Sequence, residues 1–597
     1  MLKDISLEKL KSLNIDQLDS LSNEIREAII KAVSENGGHL ASNLGVVELT
    51  VALHKVFNSP VDKIIFDVSH QSYAHKILTG RLDDFKNLRK FNGLSGFTKY
   101  SESIHDVYEA GHSSTAISAG LGYLEAKKSF PNEIGEVIAI VGDASITNGL
   151  SFEAINYLGE HTEQKMIIIL NDNEMGISKN VGSLAKRYNE IRARGKMRLI
   201  RKITPLWLKK ALKSNFYDFK LFHSLGFQYF EKIDGHNIKE LIQYLSYAKN
   251  SKQSVVLHVV TKKGKGYKFA EEDISGVWHG VGPFDIETGK QLSSTDKVSY
   301  GKVISDYLSD YIEKSERGNL IRVITPAMAL GSGLEKIMEE HPDKFIDVGL
   351  AEENAAVMAS SMAHAGLVPV LFCYSTFLQR AYDEILHDIA RPSEHVVICV
   401  DRAGIVSGDG DTHQGIFDLA YLNSIPNLKI FAPRCANDAL GMLKYAIENE
   451  NGPVVIRYSK EKIEEATDVT PFKPEWEVIR DGKDFIITYG VLVDEVIELI
   501  DKNNLNIGII NAQVLSTVDE NIINELVRRG SKIITYEEVI ENGSLTDGLY
   551  RYCYKNNKKL NIKSVILPNS YLETGTRDEL MKEYKISKLE LMKAIGE

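Results

Sequence analysis

The stretch from Val137 to Ser178 reads VIAIVGDASITNGLSFEAINYLGEHTEQKMIIILNDNEMGIS. It begins with an apolar run that ends in Gly-Asp, and a second apolar run leads into Asn-Asp-Asn. The segment SFEAINYLGEH between them has room for one helix, so the pattern predicts a strand–helix–strand unit with parallel strands. Because ligands bind beyond the carboxyl ends of parallel strands, we expect Asp143 and Asn173 to lie at a binding edge.

Similar apolar runs alternate with helical patterns along most of the 597 residues, including SVVLHVV, VPVLFCY, HVVICVD and KIITYE. Strands as uniformly apolar as these are typical of parallel sheets covered by helices on both faces. Polar, turn-rich stretches at 280–299 and 466–478 are interpreted as linkers. We therefore predict an α/β protein of three domains, 1–295, 296–470 and 471–597, each a mainly parallel sheet flanked by helices.

Composition excludes several classes of protein. A net charge of −11 argues against a general nucleic-acid binder, which needs a basic surface. The charged N-terminus does not resemble a signal peptide, and no run reaches the roughly 18 apolar residues of a membrane helix. The four cysteines lack metal-ligand or disulfide spacing, which indicates a reduced, cytoplasmic protein. The basic segment Arg187–Lys213 could contact a membrane or an anionic partner, but its few apolar anchors favour a solvated excursion.

The opening stretch also predicts a metal site. The carboxylate of Asp143 and the amide oxygen of Asn173 are hard ligands that suit Mg²⁺ or Ca²⁺, and Mg²⁺ usually shares its coordination with ligand phosphates. A Gly-Asp at a strand end is also common as a helix N-cap, and Asn-Asp is common in turns. Both features at one strand–helix–strand spacing nevertheless favour a site that holds a diphosphate through a metal. Neither a dinucleotide-binding nor a P-loop pattern occurs.

The spacing of Gly-Asp and Asn-Asp-Asn resembles the thiamine-diphosphate motif. Six further blocks resemble the 1-deoxy-D-xylulose-5-phosphate synthase family of transketolase-like enzymes: Gly37–His54, Asp67–Arg81, Gly93–Ser103, Ala110–Gly122, Tyr374–Ala390 and Asp401–Gly415. The resemblance spans nearly the whole chain and implies three transketolase-like domains with thiamine diphosphate and Mg²⁺ as cofactors. It further implies a homodimer that uses pyruvate and D-glyceraldehyde 3-phosphate, with a product that feeds isoprenoid, thiamine and pyridoxal synthesis.

The resemblance also implies roles for particular residues. Glu352, in DVGLAEENAA, matches the carboxyl that activates the coenzyme, and burial would raise the pKa of such a group. His39, His279 and His413 match residues that handle protons. The implied metal ligands are Asp143, Asn173 and Met175. The implied coenzyme contacts are His70, Gly111, His112, Ser113, Ala144, Ser145, Asn173, Ile177, Tyr267, Glu352 and Phe377. The implied substrate contacts are Tyr374, Arg380, Arg402, Asp409 and Arg457, since arginine suits phosphate.

The chain departs from the family pattern at several positions. Ala144 and Ser69 stand where the family has glycine, Asn354 stands in its Glu-Gln-His block, and Ser459-Lys460-Glu461 replaces Pro-Arg-Gly. These changes leave two alternatives open: a diverged transketolase-like paralogue with another donor or acceptor, and a catalytically inactive thiamine-diphosphate-binding module. Single candidates also have ordinary structural explanations, such as a surface ion pair for an arginine or dipole pairing for a glutamate at a helix start.

Overall fold

The computed structural model describes residues 1–173, 182–183, 221–273, 275–292 and 296–596. The candidate residues Met175 and Ile177 and the basic segment Arg187–Lys213 lie outside these described residues. The chain divides into two compact units, Met1–Ser293 and Ser294–Glu597. Within the described residues, the first unit has one sheet and the second has two.

The sheet of the first unit has five parallel strands in the order β1-β2-β3-β5-β4. The strands are β1 Lys63–Phe66, β2 Val137–Gly142, β3 Ile167–Asp172, β4 Gln228–Asp234 and β5 Val255–Val260. The described α-helices are α1 Leu7–Ser12, α2 Ile15–Asn36, α3 Ala41–Gly45, α4 Val47–Val56, α5 Tyr73–Lys76, α6 Ala116–Ser129, α7 Gly149–Glu160, α8 Leu221–Ser224, α9 Ile238–Asn250 and α10 Lys268–Glu271.

The strand–helix–strand unit predicted from the opening stretch is β2, α7 and β3. β2 and β3 pair in parallel, with Ile138 opposite Ile167, and nearly every residue of both strands is buried. The side chain of Asn148 accepts a hydrogen bond from Leu150 N and so caps the first turn of α7. Both strands end at one edge of the sheet, where Asp143 and Asn173 follow.

The first sheet of the second unit has six parallel strands in the order β10-β11-β9-β8-β6-β7. The strands are β6 Ile321–Thr325, β7 Phe345–Asp347, β8 Val368–Tyr374, β9 Val397–Asp401, β10 Lys429–Phe431 and β11 Val454–Arg457. The α-helices here are α11 Tyr300–Lys314, α12 Glu335–Glu340, α13 Glu352–His364, α14 Ser375–Leu378, α15 Tyr382–Glu384, α16 Asp418–Leu422 and α17 Ala436–Glu448.

The last sheet has the order β12-β14-β13-β15-β16, in which only the pairing of β12 with β14 is antiparallel. Its strands are β12 Glu477–Arg480, β13 Phe485–Thr488, β14 Gly508–Asn511, β15 Lys532–Ile540 and β16 Asn561–Leu567. Its α-helices are α18 Leu492–Lys502, α19 Glu520–Arg529, α20 Leu545–Lys555, α21 Arg577–Glu583 and α22 Lys588–Gly596. The two sheets of the second unit share one hydrophobic core.

The predicted fold class, mainly parallel sheets flanked by helices, is confirmed. None of the helices in the described ranges is long and apolar enough to cross a membrane.

Candidate active site

The predicted metal ligands follow neighbouring strands of the first sheet. Asp143 comes directly after β2 and is buried, and the half-buried Asn173 comes directly after β3. The backbone N–H of Asp143 donates to the carbonyl oxygen of Asn171 at 3.1 Å, which ties the two strand ends together. Thr261 Oγ1 donates to the side-chain oxygen of Asn171 at 2.7 Å. A carboxylate and an amide therefore lie at adjacent strand ends, as an oxygen-ligated cation requires.

Two loops at the same edge are bound to each other through a buried carboxylate. Asp67 accepts hydrogen bonds from the backbone N–H groups of Ser114 at 2.9 Å and Ala116 at 3.2 Å. Ser114 Oγ donates to the carbonyl oxygen of Ser145 at 3.1 Å. The predicted coenzyme contacts Gly111, His112 and Ser113 thus sit beside the loop that carries Ala144 and Ser145.

Ala144 and Ser69, the two departures from glycine in these loops, are both accommodated by the backbone. Ala144 has φ −76° and ψ −43°, ordinary right-handed values that alanine adopts freely. Ser69 has φ 64°, in the left-handed region that favours glycine. Its hydroxyl, however, accepts from Thr98 N at 3.0 Å and donates to the carbonyl oxygen of Ala110 at 3.3 Å. Two hydrogen bonds therefore offset the cost of a side chain at Ser69.

Three of the predicted histidines form one cluster. The ring centroids of His39 and His70 are 5.4 Å apart, those of His39 and His279 are 5.6 Å apart, and those of His70 and His279 are 5.4 Å apart. Burial lowers the pKa of His70 to about 3 and also lowers the pKa of His279, with Lys263 adding to both effects. Two neutral imidazoles, those of His70 and His279, are therefore grouped beside the ring of His39.

Lys263 is a member of this site that the sequence reasoning missed. Burial lowers the pKa of its ammonium to about 8, and the nearby carboxylates of Asp273 and Asp143 oppose that shift. A cation beside neutral histidines can bind an anionic group of a ligand. Nothing in the run Lys262-Lys263-Gly264-Lys265 distinguishes this lysine from its neighbours, since only the fold places it, half-buried, beside the histidines.

Tyr267 lies in an aromatic cluster. Its ring contacts those of Phe269, Trp278 and Phe284, and its hydroxyl donates to the carbonyl oxygen of Ile286 at 3.0 Å. Its contact with a coenzyme stays a prediction.

In the second unit, Glu352 is the first residue of α13 and its side chain is only 3% exposed. Burial raises its pKa to about 7, although the guanidinium of Arg380, 3.9 Å from Glu352 Oε2, opposes the shift. Within the described part of the chain, this oxygen has no hydrogen-bond partner. A buried carboxyl that keeps its proton near neutral pH can share that proton with a ring nitrogen of a bound ligand.

Four more predicted residues come together near the ends of β8 and β9. The ring centroid of Phe377 lies 5.9 Å from that of Tyr374 and 5.4 Å from that of His413. The Arg402 guanidinium lies 3.8 Å from the centroid of the Tyr374 ring. Gly331 makes this packing possible, because a Cβ there would be 1.6 Å from the Tyr374 hydroxyl oxygen. Sequence reasoning did not single out Gly331.

Arg402, Asp409 and Lys460 form what we call the Arg402 cluster. Asp409 Oδ2 is 3.7 Å from Arg402 Nη1 and 2.6 Å from Lys460 Nζ. Each of the three side chains is partly exposed. The cluster has two cations and one anion, so it has a net positive charge that suits a phosphate.

Arg457 has a different environment from the Arg402 cluster. Its side chain is buried, its Nε donates to Asp418 Oδ2 at 2.8 Å, and its Nη2 donates to the carbonyl oxygen of Gly415 at 3.5 Å. Much of the guanidinium is therefore bound within the protein. By contrast Lys460, at one of the departures from the family pattern, contributes its ammonium to the cluster.

Residues 2–261 match the family model for 1-deoxy-D-xylulose-5-phosphate synthase. Residues 296–465 match the transketolase pyrimidine-binding domain, and residues 474–590 match the transketolase C-terminal domain. A solved transketolase from Leishmania mexicana is 14% identical, with a TM-score of 0.43, over 97% of this chain and 96% of its own.

Two curated relatives match along nearly the whole chain. The 1-deoxy-D-xylulose-5-phosphate synthase of Bacillus velezensis is 40% identical over 98% of this chain and 96% of its own length. The synthase of Lysinibacillus sphaericus is 41% identical over 96% of this chain and 94% of its own. The family predicted from the sequence is thereby confirmed, and the chain belongs to the 1-deoxy-D-xylulose-5-phosphate synthases.

Proposed function

We propose that this protein decarboxylates pyruvate and joins the remaining two-carbon unit to D-glyceraldehyde 3-phosphate, giving 1-deoxy-D-xylulose 5-phosphate and carbon dioxide. The observation that carries the proposal is Glu352, a buried carboxyl at the start of α13 whose pKa is raised to about 7. Family membership supports the same reaction. The product would serve isoprenoid, thiamine and pyridoxal synthesis.

Thiamine diphosphate and Mg²⁺ are the proposed cofactors. Asp143 and Asn173 would ligate the cation, with Met175 as the third predicted ligand. The loops 111–114 and 143–145 would hold the diphosphate, with His70 and Tyr267 as further contacts. Bound thiamine diphosphate supplies a carbon that can carry negative charge after a carboxylate is lost.

The protein's own groups would control protons. Glu352 would share its proton with a nitrogen of the coenzyme's aminopyrimidine ring, and Phe377 would stack on that ring. Ile177 is the predicted support of the coenzyme's bent shape. His39, His279 and His413 would transfer protons to and from substrate oxygens. Lys263 would attract the carboxylate of pyruvate.

The Arg402 cluster is the proposed site of the aldehyde's phosphate. Arg402 and Lys460 would bind the phosphate oxygens, while Asp409 holds both cations in place and Tyr374 supports the Arg402 guanidinium. We assign Arg457 a structural role at the end of β11, where it pairs with Asp418 at the start of α16. Arg380, which lies beside Glu352, is proposed as a further contact with the substrate.

We also propose the division into three functional domains, 1–295, 296–470 and 471–597, and a cytoplasmic homodimer as the working form. Large apolar side chains that are exposed on α7, namely Leu150, Phe152 and Tyr157, support an interface with a second copy. The four free cysteines, three of them buried, fit a reducing compartment.

Release of ¹⁴CO₂ from [1-¹⁴C]pyruvate tests the reaction, with and without D-glyceraldehyde 3-phosphate. We expect release coupled to formation of the five-carbon product. Activity with xylulose 5-phosphate in place of pyruvate would instead identify a transketolase-like paralogue. Binding of thiamine diphosphate without any release would identify an inactive binding module.

Arg402→Gln should raise the KM for D-glyceraldehyde 3-phosphate about tenfold or more, because a charge-assisted hydrogen bond to an ionised group is lost. The KM for pyruvate should change little. Initial rates with D-glyceraldehyde, which lacks the phosphate, provide the control and should be much less affected. Equal losses with both aldehydes would show that Arg402 is structural.

Arg457→Gln is a matched comparison with a different expected result. Removing one partner of the buried pair leaves Asp418 without its cation, so the free energy of unfolding should fall by about 3–5 kcal/mol. Urea denaturation measures this loss. A stable Arg457→Gln protein with a raised KM for the phosphorylated aldehyde would show instead that Arg457 binds the phosphate.

A further inference from the structure

The loop 404–410, which carries Asp409 of the Arg402 cluster, has little conformational preference of its own. Gly404, Gly408 and Gly410 have φ of 81°, 77° and 82°, in a region that glycine enters as readily as any other. A chain with three such residues in seven loses much conformational entropy when it is fixed in one shape. Contacts from outside the loop must therefore hold it.

Several of those contacts come from residues 574–577, which follow the last strand of the second unit, β16. The backbone N–H of Arg577 donates to Ser407 Oγ at 3.0 Å, and the N–H of Gly408 donates to the carbonyl oxygen of Gly575 at 3.1 Å. A Cβ at Gly410 would lie 3.2 Å from Thr574 Oγ1. The turn 574–577, which begins α21, thus follows the loop residue by residue.

Partly buried ion pairs fix this turn to its own sheet. Arg577 Nε donates to Glu538 Oε1 of β15 at 2.5 Å, and Arg577 Nη1 donates to Glu495 Oε1 of α18 at 2.7 Å. Glu538 is also next to the loop, because a Cβ at Gly404 would be 3.0 Å from Glu538 Oε2. The arginine therefore connects a strand, a helix and the turn that contacts the loop.

Ser407 links this support to the predicted phosphate cations. Its hydroxyl accepts from Arg577 N, while its carbonyl oxygen accepts from Lys460 Nζ at 3.3 Å. Lys460 also binds Asp409, which lies 3.7 Å from Arg402. If Ser407 moves, Lys460 loses one of its anchors and the spacing of the two cations changes.

We propose that the turn 574–577 of the last sheet is a positioning element for the acceptor's phosphate, acting through Ser407 on Lys460 and Asp409. The inference rests on the proposed function, since it assumes that the Arg402 cluster binds the phosphate of the aldehyde. It gives residues 471–597 a role in the reaction although they supply none of the predicted contacts with substrate. Ser407 and Arg577 are then positioning residues rather than catalytic ones.

The test compares Ser407→Ala with Ser407→Thr, which keeps the hydroxyl, in the full-length protein with both cofactors present. Loss of one hydrogen bond should raise the KM for D-glyceraldehyde 3-phosphate about three- to tenfold in Ser407→Ala, while Ser407→Thr stays close to the unmutated protein. The kcat, the KM for pyruvate and the kcat/KM for D-glyceraldehyde should remain unchanged. A merely destabilised protein would lose rate equally with both aldehydes.

Arg577→Gln provides the second arm, with Lys588→Met as its control. Lys588 approaches the same Glu495, at 3.7 Å, but no described contact joins it to the loop. Arg577→Gln should raise the same KM, and should raise it little further in the Ser407→Ala background, because both residues act through one contact. Lys588→Met should leave the KM unchanged.

An active protein whose KM for D-glyceraldehyde 3-phosphate is unaltered by Ser407→Ala would overturn this inference alone. An unmutated protein that consumes no D-glyceraldehyde 3-phosphate would overturn the proposed function and the inference with it.

Discussion

Glu352→Gln should slow exchange of the thiazolium C–H proton of bound thiamine diphosphate by about 100-fold or more, the usual scale for a lost acid–base group. Glutamine keeps the size and polarity of the side chain but cannot exchange a proton with the aminopyrimidine. Hydrogen–deuterium exchange of the bound coenzyme, quenched in acid and followed by NMR, measures the rate directly. Product formation should fall by a similar factor, with coenzyme affinity reduced only modestly.

The same substitution has a separate effect on stability that reports on the pKa. Because the pKa of Glu352 is about 7 in the folded protein and about 4.5 without burial, the folded state binds more protons between these values. The unmutated protein should therefore lose stability as the pH rises from about 4.5 to about 7, relative to Glu352→Gln. Urea denaturation should show that Glu352→Gln is more stable, relative to the unmutated protein, at pH 8 than at pH 5.

Glu353→Gln is the matched control, since Glu353 is the neighbouring acid and is less buried. It should leave proton exchange at the thiazolium carbon unchanged. Rapid exchange in Glu352→Gln together with slow exchange in Glu353→Gln would move the activating role one residue along the helix.

Asp143→Ala should weaken thiamine diphosphate binding at least about 100-fold. Substituting a residue that only supports a metal ligand already lowers metal affinity or activity about 10- to 100-fold, and Asp143 is a predicted ligand itself. Asp143 would hold the proposed Mg²⁺, and the cation would in turn bind the diphosphate, so losing this ligand would remove both interactions. Isothermal titration calorimetry with thiamine diphosphate in excess Mg²⁺ measures the loss. The Asp143 carboxylate accepts a local hydrogen bond from Ala144 N at 3.1 Å, and a thermal unfolding curve of the variant checks that the fold survives.

Asp234→Asn is the control for this experiment. Asp234 is also an acid at the carboxyl end of a strand in the first sheet, where it accepts from His236 N at 3.0 Å. Its substitution should leave coenzyme affinity unchanged. Unaltered affinity in Asp143→Ala would remove Asp143 from the metal site.

The sequence predicted those parts of the fold that depend on local pattern. The apolar runs of β2 and β3, separated by a single helix, required a parallel pair with Asp143 and Asn173 at one edge. The antiparallel edge strand β12 was not predicted, because Glu477–Arg480 is short and exposed and so lacks the signal of a buried strand.

The site was predicted less completely, because several of its features are tertiary. His39, His70 and His279 are far apart in sequence, and only the family resemblance linked them. Lys263 is distinguished by burial alone, and a run of lysines carries no sign of which one the fold encloses. Lys460 was noted as a departure from the family pattern, but its contact with Asp409 depends on how two loops pack.

The strand order of the first sheet has a consequence for biosynthesis. β3 ends at Asp172, yet its second neighbour is β5, which begins more than 80 residues later at Val255. At about 5–20 residues per second, the ribosome needs roughly 4–16 seconds to supply that partner. Until then one side of a very apolar strand would have unpaired backbone groups and could associate with other nascent chains. The length of the intervening segment, rather than the stability of the finished sheet, therefore sets how long the growing chain is vulnerable to aggregation.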